Sequence, residues 1–146
     1  MRKDSTGGTS RGGKPPPHCK SLLLCRETSE DATTGELTLR HLVETLYCTE
    51  FPGWTPPFSV FAQLYDGIGG YEWEIRVQDL VDGAIIARGT HGHLEFPERL
   101  AKMYLIVPIR SMRLPHPGRY ELVVFANGDE LARQYFDAEA YDGQER

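Results

Sequence analysis

Apolar and polar side chains alternate with a period of two along most of the chain after Lys20. The clearest case is the segment 71–77, in which every odd position is apolar and every even position is charged. Alternation of this kind is typical of a strand with one buried face and one solvated face. The segment 58–65 places its even, apolar positions on one face in the same way, so it is predicted to be the preceding strand.

The pattern predicts about eight short strands, separated by turn-forming residues. They are residues 21–25, 36–47, 58–65, 71–77, 84–87, 102–109, 119–125 and 130–136. The dipeptide Asn127-Gly128 is a strong hairpin signal between the last two. Pro108 has no N–H to donate, which predicts that its strand lies at a sheet edge or carries a bulge. Strands of this number and spacing indicate an all-β fold, an antiparallel β-sandwich of the Ig-like kind.

Residues 39–47 carry a second pattern that conflicts with the first. Apolar side chains recur at helical spacing, without an interrupting Gly or Pro, at Leu39, Leu42, Val43, Leu46 and Tyr47. Periodicity alone therefore favours a helix here. The β-branched and aromatic residue types in this segment favour a strand instead, as does the all-β context on both sides.

Composition limits the classes of function. A chain of 146 residues is the length of one domain, and 16 basic against 21 acidic residues argue against binding to a nucleic-acid backbone. The longest unbroken aliphatic run is Leu22 to Leu24, too short to cross a membrane. Three cysteines leave one unpaired, and no apolar stretch follows the basic N-terminus as an export signal requires. A cytoplasmic location is therefore expected, with neither nucleic acid nor membrane as a partner.

The first 18 residues differ in composition from the rest. They contain glycines, three consecutive prolines and no aliphatic side chain after Met1, with four basic residues and one acidic residue. Such a segment has too little apolar surface to offset the entropy of ordering. The sequence predicts a disordered Gly/Pro-rich basic tail at 1–18, a sandwich domain at 19–140 and a short C-terminal tail at 141–146.

The order of motifs resembles a bacterial family of unknown function with an Ig-like layout. The resemblance runs over roughly residues 20–137. It is carried by the apolar strand ending at Cys25, the Thr-Gly turn at 34–35, the Phe-Pro at 51–52 and the Pro-Gly-x-Tyr hairpin at 117–120. It implies that residues 36–47 are extended, so we predict strand there. It implies no catalytic residues.

His91, His93, Glu95 and Glu98 are the strongest candidates for chemistry. On an extended backbone the first three point to one side, where two imidazoles and a carboxylate suit a divalent metal. The spacing of His91, His93 and Glu98 also resembles the first metal motif of the cupins, which gives a metal-dependent cupin-like enzyme as the alternative function. The chain departs from that motif because Ile85 and Leu105 replace its glycines. Ordinary surface residues in a solvated connection are the simpler interpretation.

Three aromatic residues have distinguishable expected roles. Tyr120 follows Pro117-Gly118 at a strand entry, where the corner tyrosine of Ig-like domains ties its hydroxyl to nearby backbone. Trp73 lies on the apolar face of its strand and is expected in the core. Trp54 lies in a loop between prolines and is the candidate for an exposed binding contact.

A count of loops predicts where charge collects. If the strands alternate up and down, loops carrying acidic and imidazole groups gather at one pole: Glu27, Glu30, Asp31, Asp66, His91, His93, Glu95, Glu98, Asp129 and Glu130. Weak divalent-cation binding is expected at that pole if anywhere. Trp54 lies at the opposite pole, where a protein partner is expected to dock. The sequence as a whole predicts a non-catalytic binding or accessory module without a cofactor.

Overall fold

Eleven β-strands and no helix make up the part of the chain that the computed structural model describes, residues 14–141. The strands are β1 (His18–Glu30), β2 (Leu37–Leu42), β3 (Thr45–Cys48), β4 (Gly53–Trp54), β5 (Phe58–Tyr65), β6 (Gly69–Asp79), β7 (Ile85–Phe96), β8 (Lys102–Ile109), β9 (Arg113–Leu114), β10 (Gly118–Ala126) and β11 (Asp129–Ala140). Within this range no helix is long and apolar enough to cross a membrane.

Nine of the strands form two sheets that pack face to face. The four-stranded sheet has the order β2-β1-β5-β8, and the five-stranded sheet has the order β3-β11-β10-β6-β7. Every neighbouring pair is antiparallel except β3 and β11, which are parallel. The remaining strands, β4 and β9, pair with each other. The edge position predicted from Pro108 is confirmed, because β8 is the last strand of its sheet.

The core lies between the two sheets and is filled from alternate strand positions. The even positions of β5 and the odd positions of β6 point inward, as the period of two predicts. The largest fully buried side chains include Phe58, Tyr71, Tyr120 and Phe136. Trp73 is half-buried and packs against this core.

The arrangement of the strands is Ig-like, as predicted. The strands β6, β10 and β11 correspond to strands C, F and G of Ig-like domains, with β7 added as C′, while β1, β5 and β8 take the places of A, B and E. Tyr120 lies near the start of β10, and its hydroxyl donates to the carbonyl of His116 at 2.5 Å. This bond is the tyrosine corner, so the structural role predicted for Tyr120 is confirmed.

Two strand assignments from the sequence need revision. The segment 36–47 is extended, as predicted, but it forms two strands in different sheets, β2 and β3. The predicted strand 84–87 is the first part of a longer one, because β7 runs from Ile85 to Phe96. Its second half pairs with β6 from Thr90 opposite Ile75 to Phe96 opposite Gly69. Pairing along a neighbouring strand makes this polar, glycine-containing segment extended, although its residue types do not predict it.

The predicted tail boundary at residue 18 lies too far along the chain. β1 already begins at His18, and Pro17 is buried. The Tyr71 hydroxyl donates to the Pro15 carbonyl at 2.9 Å, and the Lys14 ammonium lies 4.2 Å from the centre of the Tyr71 ring. The contacts of Lys14 and Pro15 with the buried Tyr71 therefore order this proline-containing segment, although it has no aliphatic side chain to bury. The rest of the predicted tail, 1–13, and residues 142–146 lie outside the described part.

Candidate functional site

Trp54 stands on a short strand at the rim of the sandwich. In the two-stranded sheet Gly53 lies opposite Leu114, and Trp54 lies opposite Arg113. Leu114 is fully buried and anchors the sheet, whereas Trp54 is 63% exposed. The exposure predicted for this tryptophan is therefore observed.

The backbone on both sides of Trp54 is fixed. The N–H of Thr55 donates to the Met112 carbonyl at 2.9 Å, and the N–H of Met112 donates to the Thr55 hydroxyl at 3.1 Å. A side chain at Gly53 would place its Cβ 2.0 Å from the carbonyl oxygen of Glu50, so this turn requires glycine. The indole is therefore presented by a segment that is already ordered, which lowers the entropic cost of a contact made through it.

An apolar cleft of about 320 Å³ opens beside Trp54, between elements of the two sheets. Its apolar lining comes from β6, β7, β8 and the segment before β9: Ile75, Val77, Ile86, Ala87, Ile109 and Met112. Ile75 and Val77 belong to the main core, so the cleft reaches to the core from the surface. Trp54 and Arg113 stand together at its rim.

The polar groups of the cleft are few. Thr90 and Ser111 contribute hydroxyls, and among the side chains that the structure describes Arg113 is the one charged group that lines it. Arg113 forms no ion pair with any residue in the range 14–141. The cleft therefore combines an apolar interior with one positive charge that is available to a ligand.

The candidate metal ligands lie on β7 rather than in a loop. His91, His93 and Glu95 alternate along the exposed face of this strand, as an extended backbone requires, and Glu98 follows the strand. Within residues 14–141 no three His, Cys, Asp or Glu side chains are grouped as a metal site would need. Nothing in the described structure favours the cupin-like alternative.

His93 has two carboxylate partners. Its Nδ1 lies 2.7 Å from Glu72 and its Nε2 lies 3.0 Å from Glu95. The hydrogen bond to Glu72, followed by that to Glu95, raises the pKa of His93. When the ring is protonated, both nitrogens donate, whereas a metal ligand needs an unprotonated ring nitrogen.

The predicted acidic pole is correct in part. The N–H of Asn127, in the turn between β10 and β11, donates to the backbone carbonyl of Glu72 at 2.8 Å. This turn therefore lies beside the first half of β6, and Asp129 and Asp66 lie at the same end of the sandwich. The cluster Glu27, Glu30 and Asp31 lies at the other end, because β1 runs past its last pair with β5 and folds back into β2. This second hairpin breaks the simple alternation on which the loop count rests.

The sequence of residues 20–139 matches the model of a family of unknown function, DUF6941. This chain belongs to the DUF6941 family. The match covers nearly all of the described sandwich, including both strands of the small sheet that carries Trp54. No curated protein matches the chain.

Solved structures similar to this DUF6941 chain share little sequence with it. A β-glucosidase from Listeria innocua aligns with a TM-score of 0.47 at 11% identity, over 83% of this chain and 16% of that one. A CARDB domain from Pyrococcus furiosus, in complex with di-metal ions, gives 0.38 at 12% identity, over 93% and 95%. An immunoglobulin-like protein from Pseudomonas aeruginosa gives 0.37 at 16% identity, over 87% and 99%. None of these alignments bears on activity.

Sequence reasoning missed most of the cleft in this DUF6941 chain. The exposure of Trp54 could be predicted from the sequence, because a tryptophan in a loop between prolines is rarely buried. Arg113 and Met112 carry no local signal, since they reach the site only through pairing with a segment nearly 60 residues earlier. From the sequence Ile86 is only an apolar residue of a strand, and it lines the cleft because that strand, β7, lies at the edge of its sheet.

Proposed function

We propose that this chain is a non-catalytic binding module that holds an extended segment of a partner protein in the Trp54 cleft. An apolar side chain of that segment enters the cleft, and a neighbouring acidic residue pairs with Arg113. The observation that carries the proposal is the exposed, rigidly presented indole of Trp54 at the mouth of an apolar opening.

The chemistry of the lining favours recognition over catalysis. General acid–base catalysis needs a group that gains and loses a proton near neutral pH, and nucleophilic catalysis needs an activated hydroxyl or thiol. Among the described side chains the charged group that lines the cleft is Arg113, and a guanidinium is not a group that exchanges protons near neutral pH. The hydroxyls of Thr90 and Ser111 have no histidine or carboxylate beside them in the described lining.

The size and composition of the cleft favour a peptide segment. Small-molecule sites commonly span about 300 to 1,000 Å³ and place several polar groups around the ligand. A cleft of about 320 Å³ is at the lower limit of that range, enough for one or two apolar side chains. Tryptophan and arginine are the residues that most often dominate protein–protein interfaces, and here they lie opposite each other.

Display of random peptides against the purified chain tests the proposal. We expect enrichment of peptides that combine an aliphatic or aromatic residue with a nearby Asp or Glu. Synthetic versions of those peptides should lose about 2 kcal/mol of binding free energy, roughly 30-fold in Kd, with Trp54→Ala. Arg113→Ala should weaken the binding of the acidic peptides and leave the binding of their neutral analogues unchanged.

Tyr135→Ala provides the matched control. Tyr135 is also an exposed aromatic, at 53%, but it lies on β11 and away from the cleft. Its removal should leave peptide binding unchanged. Peptides that bind the Trp54→Ala and parent chains equally, or no enrichment at all, would overturn the proposal.

A further inference from the structure

The outer edge of β7 is the least protected edge of the sandwich. Exposed edges present unpaired backbone groups, and proteins guard them with Pro, Lys, bulges or short length. β8 carries Lys102 and Pro108, β3 has four residues, and β2 is short with a positive φ at His41. The second half of β7, Thr90–Phe96, has none of these devices, and its pairing with β6 is regular throughout. Both register shifts of β7 fall earlier, between Ile85 and Thr90.

We propose that two copies of this chain pair through their β7 strands, antiparallel, about a two-fold axis at His93. The two five-stranded sheets then join into one sheet of ten strands. Antiparallel pairing of identical strands places the axis midway between two copies of one residue, so the register is defined by the residue at the axis. An axis at His93 pairs Thr90 with Phe96 of the second copy and uses the whole regular segment.

Charge complementarity and the length of the paired segment together select this register. With the axis at His93, His91 lies opposite Glu95 of the second copy, and the same pair forms again on the other side of the axis. Opposed side chains in such pairs have Cβ atoms about 4.5 to 5.5 Å apart, within reach of an ion pair. An axis at Gly92 would place imidazole opposite imidazole twice. An axis at Leu94 would oppose His93 to Glu95 of the second copy, but His93 already has two carboxylate partners within its own copy. That axis would also leave His91 opposite Pro97 and shorten the paired segment.

The two His93 side chains that meet at the axis are each paired with carboxylates of their own copy. Each imidazole is bonded to Glu72 of β6 and to Glu95 of its own strand. Two carboxylates therefore offset each ring, so the seam contains no uncompensated positive charge. The surface adjoins the Trp54 cleft and shares Thr90 with it, but His91, His93 and Glu95 do not line that cleft.

Sedimentation velocity on the full chain tests the association. We expect a monomer–dimer equilibrium that shifts with concentration over a roughly hundredfold range. Glu95→Lys should raise the dimer Kd by about tenfold or more because it opposes His91 of the second copy, and His91→Glu should do the same because it opposes Glu95. The double variant should restore association. Positions 91 and 95 of one strand are about 13 Å apart, so rescue cannot come from within one copy.

Glu98→Lys is the matched control, because it makes the same charge change just beyond the strand and should leave the dimer intact. Thermal melts of each variant separate loss of association from loss of folding. A chain that stays monomeric over the whole range overturns the proposal. A dimer that Glu95→Lys does not weaken, or that the double variant does not restore, overturns the register.

Cysteine cross-linking tests the axis directly. His93→Cys places two thiols on directly opposed residues, whose Cα atoms are about 4.5 to 5.5 Å apart, a separation that a disulfide can bridge. Copper phenanthroline and oxygen should then give a covalent dimer on a non-reducing gel. His91→Cys, with its copies about 13 Å apart, should give none, and the parent chain measures the background of Cys19, Cys25 and Cys48. Equal cross-linking of both variants would exclude the axis at His93.

Discussion

His116 and Asp79, 37 residues apart in sequence, form a hydrogen bond of 2.6 Å in which the carboxylate is 2% exposed. The other ring nitrogen of His116 bonds to the Pro117 carbonyl at 2.7 Å. Both of these partners can accept, so both bonds form together when the ring is protonated as an imidazolium. The bond to Pro117, followed by that to Asp79, raises the pKa of His116. The charge on this histidine holds the end of β6 to the turn before β10.

The His116–Asp79 bond makes stability depend on pH. Because the pKa of His116 is raised on folding, its contribution is fully present below the unfolded pKa of about 6.5 and is lost as the pH rises through the folded value. The gap in Tm between the parent chain and His116→Ala should therefore be larger at about pH 6 than at about pH 8.5. Thermal melts monitored by circular dichroism measure it.

Asp79→Asn is the companion variant for that measurement. It removes the acceptor charge while keeping the shape of the side chain, so the pH dependence assigned to His116 should shrink in this variant too. A gap in Tm that stays constant with pH, or grows towards pH 8.5, would show that His116 is neutral in the folded chain.

Gly92 on β7 is predicted to be intolerant of a side chain. An added Cβ would lie 2.7 Å from the Trp73 ring, on the opposing strand. Gly92→Ala should therefore destabilise the chain by about 1 to 3 kcal/mol, the usual cost of overpacking, as measured by denaturant unfolding. The smaller ring in Trp73→Phe should recover part of that loss in the double variant. Equal losses with tryptophan and phenylalanine would place the cause in the backbone instead.

Two N-terminal truncations, starting at Lys14 and at Cys19, test where the part of the chain that stabilises the sandwich begins. A chain starting at Lys14 keeps the contacts of Lys14 and Pro15 with Tyr71, so its Tm should match that of the full chain. A chain starting at Cys19 loses those contacts and the buried Pro17, and its Tm should fall by roughly 2 to 8 °C. Matching melting curves for the two truncations would show that these contacts contribute nothing.

Leu105 and Glu74 test the face assignments of the two sheets. Leu105 points from β8 into the core, so Leu105→Ala should cost about 2 to 5 kcal/mol. Glu74 lies on the outer face of β6, where it pairs with Arg76 at 3.0 Å, and Glu74→Ala should cost less than about 1 kcal/mol. The reverse order of these two losses in chemical denaturation would mean that the faces are exchanged.

The strands that can be predicted from the sequence are those in which the alternation of apolar and polar residues follows burial alone. The bounds of β5 and β8 match their apolar alternation residue for residue, because the alternating apolar positions of each strand pack in or against the core along its whole length. β7 was underestimated because Gly89, Gly92 and two histidines do not favour a strand, and only its partner β6 makes the segment extended. The bond between Asp79 and His116 depends on the E–F corner geometry, which no local pattern encodes.

The described chain enters the sandwich at one pole and leaves it at the other. His18 of β1 lies opposite Tyr65, at the end that holds Asp66, whereas Ala140 of β11 lies opposite Cys48 at the far end. Tension applied between these two ends runs along the strands and loads the ladders of β1–β5 and β3–β11 in shear. In shear the hydrogen bonds of a ladder share the load at once rather than opening one after another, so a domain with this layout resists mechanical extension.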